Sequence, residues 1–139
     1  MVDRDVLAFV RANLPAPPCR VLEVGAGEGE LAAALEAAGY MVTAIDPEPR
    51  GGNVDGVALA DLMAEPGAFQ AAAAIRSLHH VHPLAPSLER LADVLQPGAP
   101  LVIDEMDVVA FRPPGGGLVA AATGGARPGA GCQPAAAGR

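Results

Sequence analysis

Residues 21–30 read Val-Leu-Glu-Val-Gly-Ala-Gly-Glu-Gly-Glu, with glycines at 25, 27 and 29 between an apolar run and an Ala/Leu-rich one. Few folds accommodate that pattern. Glycines at alternate positions permit backbone angles closed to other residues and let a ligand approach the main chain closely. The apolar run before them, 20–24, predicts a short strand. The run after them, 30–38, predicts a helix, with Gly39 as its C-terminal cap. A second β-branched run, 41–45, closes on Asp46-Pro47. A strand-helix-strand unit with so short a crossover requires parallel strands, and therefore an α/β sheet.

The rest of the chain extends this unit. Val6, Leu7, Val10 and Leu14 recur at helical spacing, so 3–14 predicts an amphipathic helix that Asp3 can cap and that Pro15, Pro17 and Pro18 stop. Residues 56–60 predict a third strand and 71–75 a fourth, although alanine is a poor strand former. Residues 86–95 predict a helix with Leu88, Leu91 and Leu95 on one face, and 101–104 a fifth strand. The fold class expected is α/β, a mainly parallel sheet of about five strands with flanking helices. The composition changes at Pro113. From there Gly, Ala and Pro dominate, Arg127 and Arg139 carry the only charges, and Leu118 and Val119 are the large apolar exceptions. Such a stretch buries too little surface to offset its ordering entropy. The expected organisation is one domain over 1–112 and a disordered low-complexity tail over 113–139.

Charge and length restrict the partners. The chain has 139 residues, with nine basic and sixteen acidic side chains and a net charge of -7. A surface of that sign does not suit a phosphate backbone, so no nucleic-acid partner is expected. No apolar run approaches the ~20 residues that span a bilayer, so no membrane partner is expected. Asp3, Arg4, Asp5 and Arg11 are out of place in a signal peptide core. Cys19 and Cys132 are far apart in sequence, which argues against a disulfide framework and for a cytoplasmic location.

Asp46 ends the second strand seventeen residues past Gly29. In a sheet of this kind, a carboxylate there accepts hydrogen bonds from ribose hydroxyls. Glycine loop and strand-end acid together point to a ribose-bearing cofactor at the carboxyl ends of the strands. A dinucleotide would call for G-x-G-x-x-G. Here the third glycine falls one residue early, and Glu30 takes the dinucleotide position. Glu23, two residues before Gly25, also disfavours a pyrophosphate and suits a ligand that carries an ammonium group.

E-x-G-x-G-x-G followed by an acid at the next strand end resembles the first two motifs of class I (Rossmann-like) S-adenosylmethionine-dependent methyltransferases. The likeness continues downstream. Ala60-Asp61-Leu62 resembles the acid-bearing turn that contacts adenine in that family. The segment R-S-L-H-H-V over 76–81 resembles the stretch after the fourth strand, where many small-molecule methyltransferases read L-H-H. V-L-Q-P-G-A-P-L-V-I resembles the family's Pro-Gly turn and fifth strand. The resemblance covers roughly residues 20–105. It implies S-adenosyl-L-methionine as cofactor and a small-molecule methyl acceptor as partner. It implies that Glu23, Gly25, Ala26, Gly27 and Gly29 hold the methionine end, and that Asp46 and Pro47 lie at the ribose. Asp61 and Leu62 would flank adenine, and Ile75 and Arg76 would lie near the cofactor at the fourth strand's tip.

Several readings stay open. His79 and His80 are candidates for a general base or for structural residues at a helix start. Adjacent residues make a poor chelating pair, and adding His82 brings no matching ligand set, so no metal is expected. Asp104, Glu105 and Asp107 form an acidic cluster at the fifth strand's end, suited to substrate or to solvent. The chain also departs from the family pattern. Residues 47–55 are too short and too rich in Pro and Gly for the usual helix, Gln70 replaces an Asp, and Ala99 replaces a Gly. The family fold continues past the fifth strand with a helix and two strands, where this chain has its low-complexity stretch. The expectation is a truncated or frame-disrupted product whose exposed fifth strand favours a homodimer. The alternatives to methyl transfer are an NAD(P)-dependent oxidoreductase and a non-catalytic cofactor-binding module.

Overall fold

The structure is a computed structural model, and it describes residues 1–105. Eight helices and strands follow one another among these residues: α1 (Arg4–Asn13), β1 (Arg20–Val24), α2 (Glu30–Ala37), β2 (Met41–Asp46), β3 (Asp55–Gly56), β4 (Ala71–Ile75), α3 (Leu84–Val94) and β5 (Leu101–Asp104). The strands form one sheet in the order β3-β2-β1-β4-β5, and every pair is parallel. The chain starts at the centre, runs outward through β2 and β3, then returns to β4 on the other side of β1. That reversal opens a crevice at the carboxyl ends of β1 and β4, where ligands bind in sheets of this class.

Helices cover both faces of the sheet, as the alternation along β1 requires. Val21 packs with Val10 and Leu14 at the end of α1, with Leu31 and Leu35 of α2, and with Ala71 and Ala73. Leu22 and Val24 point the other way, to Leu91 and Val94 of α3 and to Ala72 and Ala74. The four alanines of β4 are all fully buried between β1 and β5. Burial on both faces outweighs their low strand propensity, and their small side chains let the helices close onto the sheet. Gln70 fastens the start of β4 to the start of β1. Its N–H donates to the Arg20 carbonyl at 2.9 Å, and its Oε1 accepts from the Arg20 N–H at 2.6 Å.

Asp3 caps α1, accepting from the N–H groups of Asp5 at 2.8 Å and Val6 at 3.4 Å. Asp3→Ala is expected to lower stability by about 1 kcal/mol, read as a drop in the urea midpoint at unchanged slope.

The structure corrects the sequence reading in two places. The strand expected over 56–60 is only Asp55–Gly56, and Leu59–Asp61 is a turn of 3-10 helix. Local bonds divert the backbone there: the Val57 N–H donates to the Asp55 carbonyl and the Asp61 N–H to the Ala58 carbonyl. Helix α3 starts at Leu84 rather than Pro86 and stops before Leu95. Pro86 falls in its first turn, where a missing N–H leaves no bond unmade. Cys19 is buried just before β1. The boundary at 112/113, the low-complexity tail, Asp107 and Cys132 lie outside the described residues. No described helix is long and apolar enough to cross a membrane.

Candidate functional site

The glycine-rich loop leaves β1 at the sheet's switch point and is fixed from three sides. The first is β2. The N–H groups of Gly25 and Ala26 both donate to the Ile45 carbonyl, at 2.8 and 3.0 Å. One residue on, the Gly27 N–H donates to Asp46 Oδ2 at 2.9 Å, while Asp46 Oδ1 accepts from the Glu48 N–H at 2.8 Å. The strand-end carboxylate thus bridges the glycine loop and the turn after β2, and each oxygen keeps capacity for a further donor.

The second side is the segment after β4. Gly25 has φ +72°, and a Cβ on it would stand 2.3 Å from the Cβ of Ser77. Ser77 is buried, and its hydroxyl donates to the Val24 carbonyl at 2.7 Å. Only a glycine lets the two crossover loops meet this closely. The third side is the 47–53 turn, which folds back over the loop where the family pattern would have a helix. The Arg50 N–H donates to the Gly27 carbonyl at 2.9 Å, and the Asn53 side-chain amide donates to the Gly29 carbonyl at 2.9 Å. The Arg50 guanidinium stands over Gly27, 3.9 Å from Glu28.

Glu23 lies on β1, two residues before this loop. It is 4% exposed, on the α2 face of β1, and its Oε2 has no hydrogen-bond partner among the described residues. Burial raises its pKa from an ordinary 4.5 to about 7, and the Ala32 backbone N–H offsets this only in part. A buried carboxylate with an orphaned oxygen destabilises the chain unless something cationic or protic meets it.

The remaining predicted residues divide. Pro47 and Asp61 are exposed at the same end of the sheet, the latter in the 3-10 turn after β3. Leu62 is turned into the core beside Leu22 and Leu59, and its carbonyl accepts from Arg90 Nε at 2.8 Å. Ile75 is half-buried at the end of β4. Arg76 takes φ +50°, and it is the one described non-glycine residue with positive φ. Its N–H donates to the Asp104 carbonyl at 2.5 Å, and its Nε lies 3.7 Å from the buried Asp104 carboxylate. Strained backbone of this kind gathers at functional sites. His79 and His80 occupy a 3-10 turn, Leu78–His80, with ring centroids 4.0 Å apart. His79 Nδ1 is 2.8 Å from Glu105 Oε2. Among the described residues no group of three or more His, Cys, Asp or Glu is placed to hold a metal ion.

Sequence reasoning missed Ser77, Arg50 and Asn53, and it missed the pairing of His79 with Glu105. A small polar residue after a strand, or an Asn in a Gly-rich turn, is ordinary loop chemistry and carries no sign of its partner.

Three comparisons bear on this geometry. A family model described as a methyltransferase domain matches residues 2–115. The ubiquinone biosynthesis O-methyltransferase of Xylella fastidiosa (strain 9a5c) is 34% identical over 116 residues, covering 73% of this chain and 47% of the relative. The chain therefore spans about half the length of the curated relatives it matches. Among solved structures, the 1,6-didemethyltoxoflavin-N1-methyltransferase of Burkholderia thailandensis superposes with a TM-score of 0.64 at 29% identity, covering 75% of this chain and 52% of that one. That enzyme was crystallised with 1,6-didemethyltoxoflavin and S-adenosylhomocysteine. A structure from Anabaena variabilis, described as a methyltransferase of an antibiotic biosynthesis pathway, reaches 0.70 at 18% identity, covering 78% of this chain and 48% of that one, and speaks for the fold alone. A domain match over most of the chain, on a sheet whose switch point is built as the motif demands, decides between the methyltransferase and oxidoreductase readings: the chain belongs to the methyltransferase domain family.

Proposed function

We propose that the carboxyl ends of β1, β2 and β4 bind S-adenosylmethionine and that the chain serves methyl transfer to a small-molecule acceptor. The observation that carries this reading is the buried carboxylate of Glu23, two residues before the glycine loop, whose Oε2 has no partner among the described residues. It matches an ammonium group, which the methionine end of this cofactor has and a dinucleotide lacks. Asp46 adds the second match. Its oxygens already accept from Gly27 and Glu48, and their remaining lone pairs suit ribose hydroxyls.

In this reading Gly25, Ala26, Gly27 and Gly29 offer main chain to the methionine end, and Pro47 shapes the ribose edge. Asp61 flanks adenine, with Leu62 as its buried support. Ile75 and Arg76 line the tip of β4. When bound, the cofactor supplies a methyl group on a sulfonium, open to in-line displacement by a nucleophile. The chain's own contribution is positioning and the exclusion of water. The O-methyltransferase relatives and the ligand-bound Burkholderia enzyme support the reading.

Glu23 gives the reading a pH signature. Below its ordinary 4.5 the carboxyl is protonated in the folded and the unfolded chain alike. Between that value and about 7 the unfolded chain ionises it and the folded chain does not, so stability falls as pH rises through the window. The loss attributable to this group is of order 3 kcal/mol. Glu23→Gln is expected to flatten the fall, read from urea midpoints at about pH 5 and about pH 8. A cationic ligand reverses the effect, because it favours the ionised carboxylate. The affinity for S-adenosylhomocysteine is therefore expected to rise with pH across the same window. 5′-Methylthioadenosine lacks the amino-acid end and should show no such rise. Calorimetric titration with both ligands tests the reading. Equal pH dependence for the two, or a Glu23→Gln variant that keeps the wild-type rise, would remove Glu23 from the methionine end.

A further inference from the structure

The pair His79–Glu105 stands at this end of the sheet and takes no part in the cofactor binding proposed above. His79 Nδ1 lies 2.8 Å from Glu105 Oε2, across the gap between the segment after β4 and the end of β5. The other oxygen, Glu105 Oε1, accepts from the Leu78 N–H at 2.6 Å. Burial would raise the pKa of Glu105. The hydrogen bonds from His79 and the Leu78 backbone, the charge of His79 and the Ser77 backbone outweigh burial and hold it below the usual carboxylate range. Glu105 is thus an anion at neutral pH, gripped by main chain on one side and by imidazole on the other.

An ionised carboxylate against Nδ1 puts the proton of the neutral ring on Nδ1 and leaves the lone pair on Nε2. Nε2 has no hydrogen bond among the described residues, and the His79 side chain is 40% exposed. Among the described residues its charged and titratable neighbours are Glu105, the His80 ring, and the Arg76–Asp104 pair on the same strand ends. Two residues before His79, Ser77 presses against Gly25. The imidazole is therefore carried by the segment that walls the glycine loop, at the end of the sheet where methyl transfer would occur. A carboxylate that fixes one nitrogen of a histidine while the other stands free is the arrangement general-base catalysis uses.

Resting on the methyl-transfer reading, we propose that the acceptor is a hydroxyl compound, that His79 is the catalytic base that takes its proton, and that Glu105 is the positioning residue that orients the base. Nε2 of His79 accepts the hydroxyl proton as the oxygen forms its bond to the methyl carbon. The carbon–sulfur bond of the sulfonium breaks, and its electron pair stays on sulfur as a neutral thioether. The imidazolium is stabilised by Glu105 and gives its proton to water. A neutral amine can attack before it loses a proton, so a base held this way serves hydroxyl acceptors above all.

The test uses the full chain saturated with S-adenosylhomocysteine and 4-nitrocatechol as acceptor probe, because the ionisation of this phenol is visible in its absorbance. The wild type is expected to bind it and to shift its spectrum toward the phenolate at a pH where the free probe is largely neutral. His79→Gln should reduce that shift at least about tenfold, with S-adenosylhomocysteine affinity unchanged. Glu105→Gln should weaken the shift as well, because the anion that orients the ring and favours the imidazolium is gone. With S-adenosylmethionine and the same probe, kcat in His79→Gln should fall about 100-fold with KM little changed. A merely structural pair, pinning the 78–80 turn, would leave the spectral shift intact in both variants, and that result would overturn the proposal. Failure of 4-nitrocatechol to bind the S-adenosylhomocysteine complex would overturn it too. Failure of S-adenosylhomocysteine itself to bind would instead strike the cofactor reading on which the proposal rests.

Discussion

Gly25→Ala is expected to destabilise the protein by about 2–5 kcal/mol and to abolish measurable cofactor binding. Two costs combine. The backbone at φ +72° lies in the left-handed region, which costs a residue with a Cβ about 1–2 kcal/mol. The new methyl would also stand 2.3 Å from the Cβ of Ser77, a first side-chain atom that no rotamer change can withdraw. Either the glycine loop or the segment after β4 must move, and forced repacking of that kind costs about 1–3 kcal/mol. Both segments belong to the proposed site, so affinity falls with stability. Ser77→Gly tests the cause. Alone it loses the hydroxyl bond to the Val24 carbonyl and costs about 1 kcal/mol. Combined with Gly25→Ala it removes the clash, so the double variant should be more stable than the sum of the singles by at least about 1 kcal/mol. Urea unfolding of the four proteins gives the coupling directly, and strict additivity would show that the clash is not what makes Gly25 necessary.

Asp46→Ala is expected to weaken S-adenosylhomocysteine binding by about 100-fold or more, because hydrogen bonds to a charged group contribute about 1.5–3 kcal/mol each. The carboxylate holds Gly27 and Glu48 through their N–H groups, so its removal frees the loop and the turn after β2 together. Stability should fall by about 1–3 kcal/mol as those donors turn to solvent. Asp46→Asn separates geometry from charge. Its one carbonyl oxygen can serve one of the two N–H groups, while its NH2 faces the other, so an intermediate loss is expected. An Asn variant that binds like the wild type would show that the carboxylate's charge and its second acceptor are both dispensable.

The ladder was legible where the chain is punctuated. The bounds of β1, β4 and β5 follow from the turn residues beside them, and the α/β class follows from the short crossover between β1 and β2. Asp3 was readable as a cap because capping is a matter of a few residues. The shortness of β3 was not readable, because its pattern suits a strand and only local bonding of Val57 and Asp61 cuts it off. The same limit governs the site. Gly25, Gly27, Gly29 and Asp46 carry a spacing that announces a ligand. The contact between Gly25 and Ser77, the pair His79–Glu105 and the fold-back of Arg50 and Asn53 join residues that share no spacing rule. Glu23 lies between these cases. Its place in the motif suggested a ligand, but its orphaned oxygen and raised pKa exist only once α2 has covered it.

Amide NMR of the full chain reports whether S-adenosylmethionine's site lies at the carboxyl ends of β1, β2 and β4. On adding S-adenosylhomocysteine, shifts are expected at Gly25, Gly27, Gly29, Asp46 and Glu48, with the exposed Glu89 on α3 unmoved and no comparable response to NAD. Shifts confined to other parts of the sheet, or no shifts in a folded chain at saturating ligand, would rule out a cofactor site there.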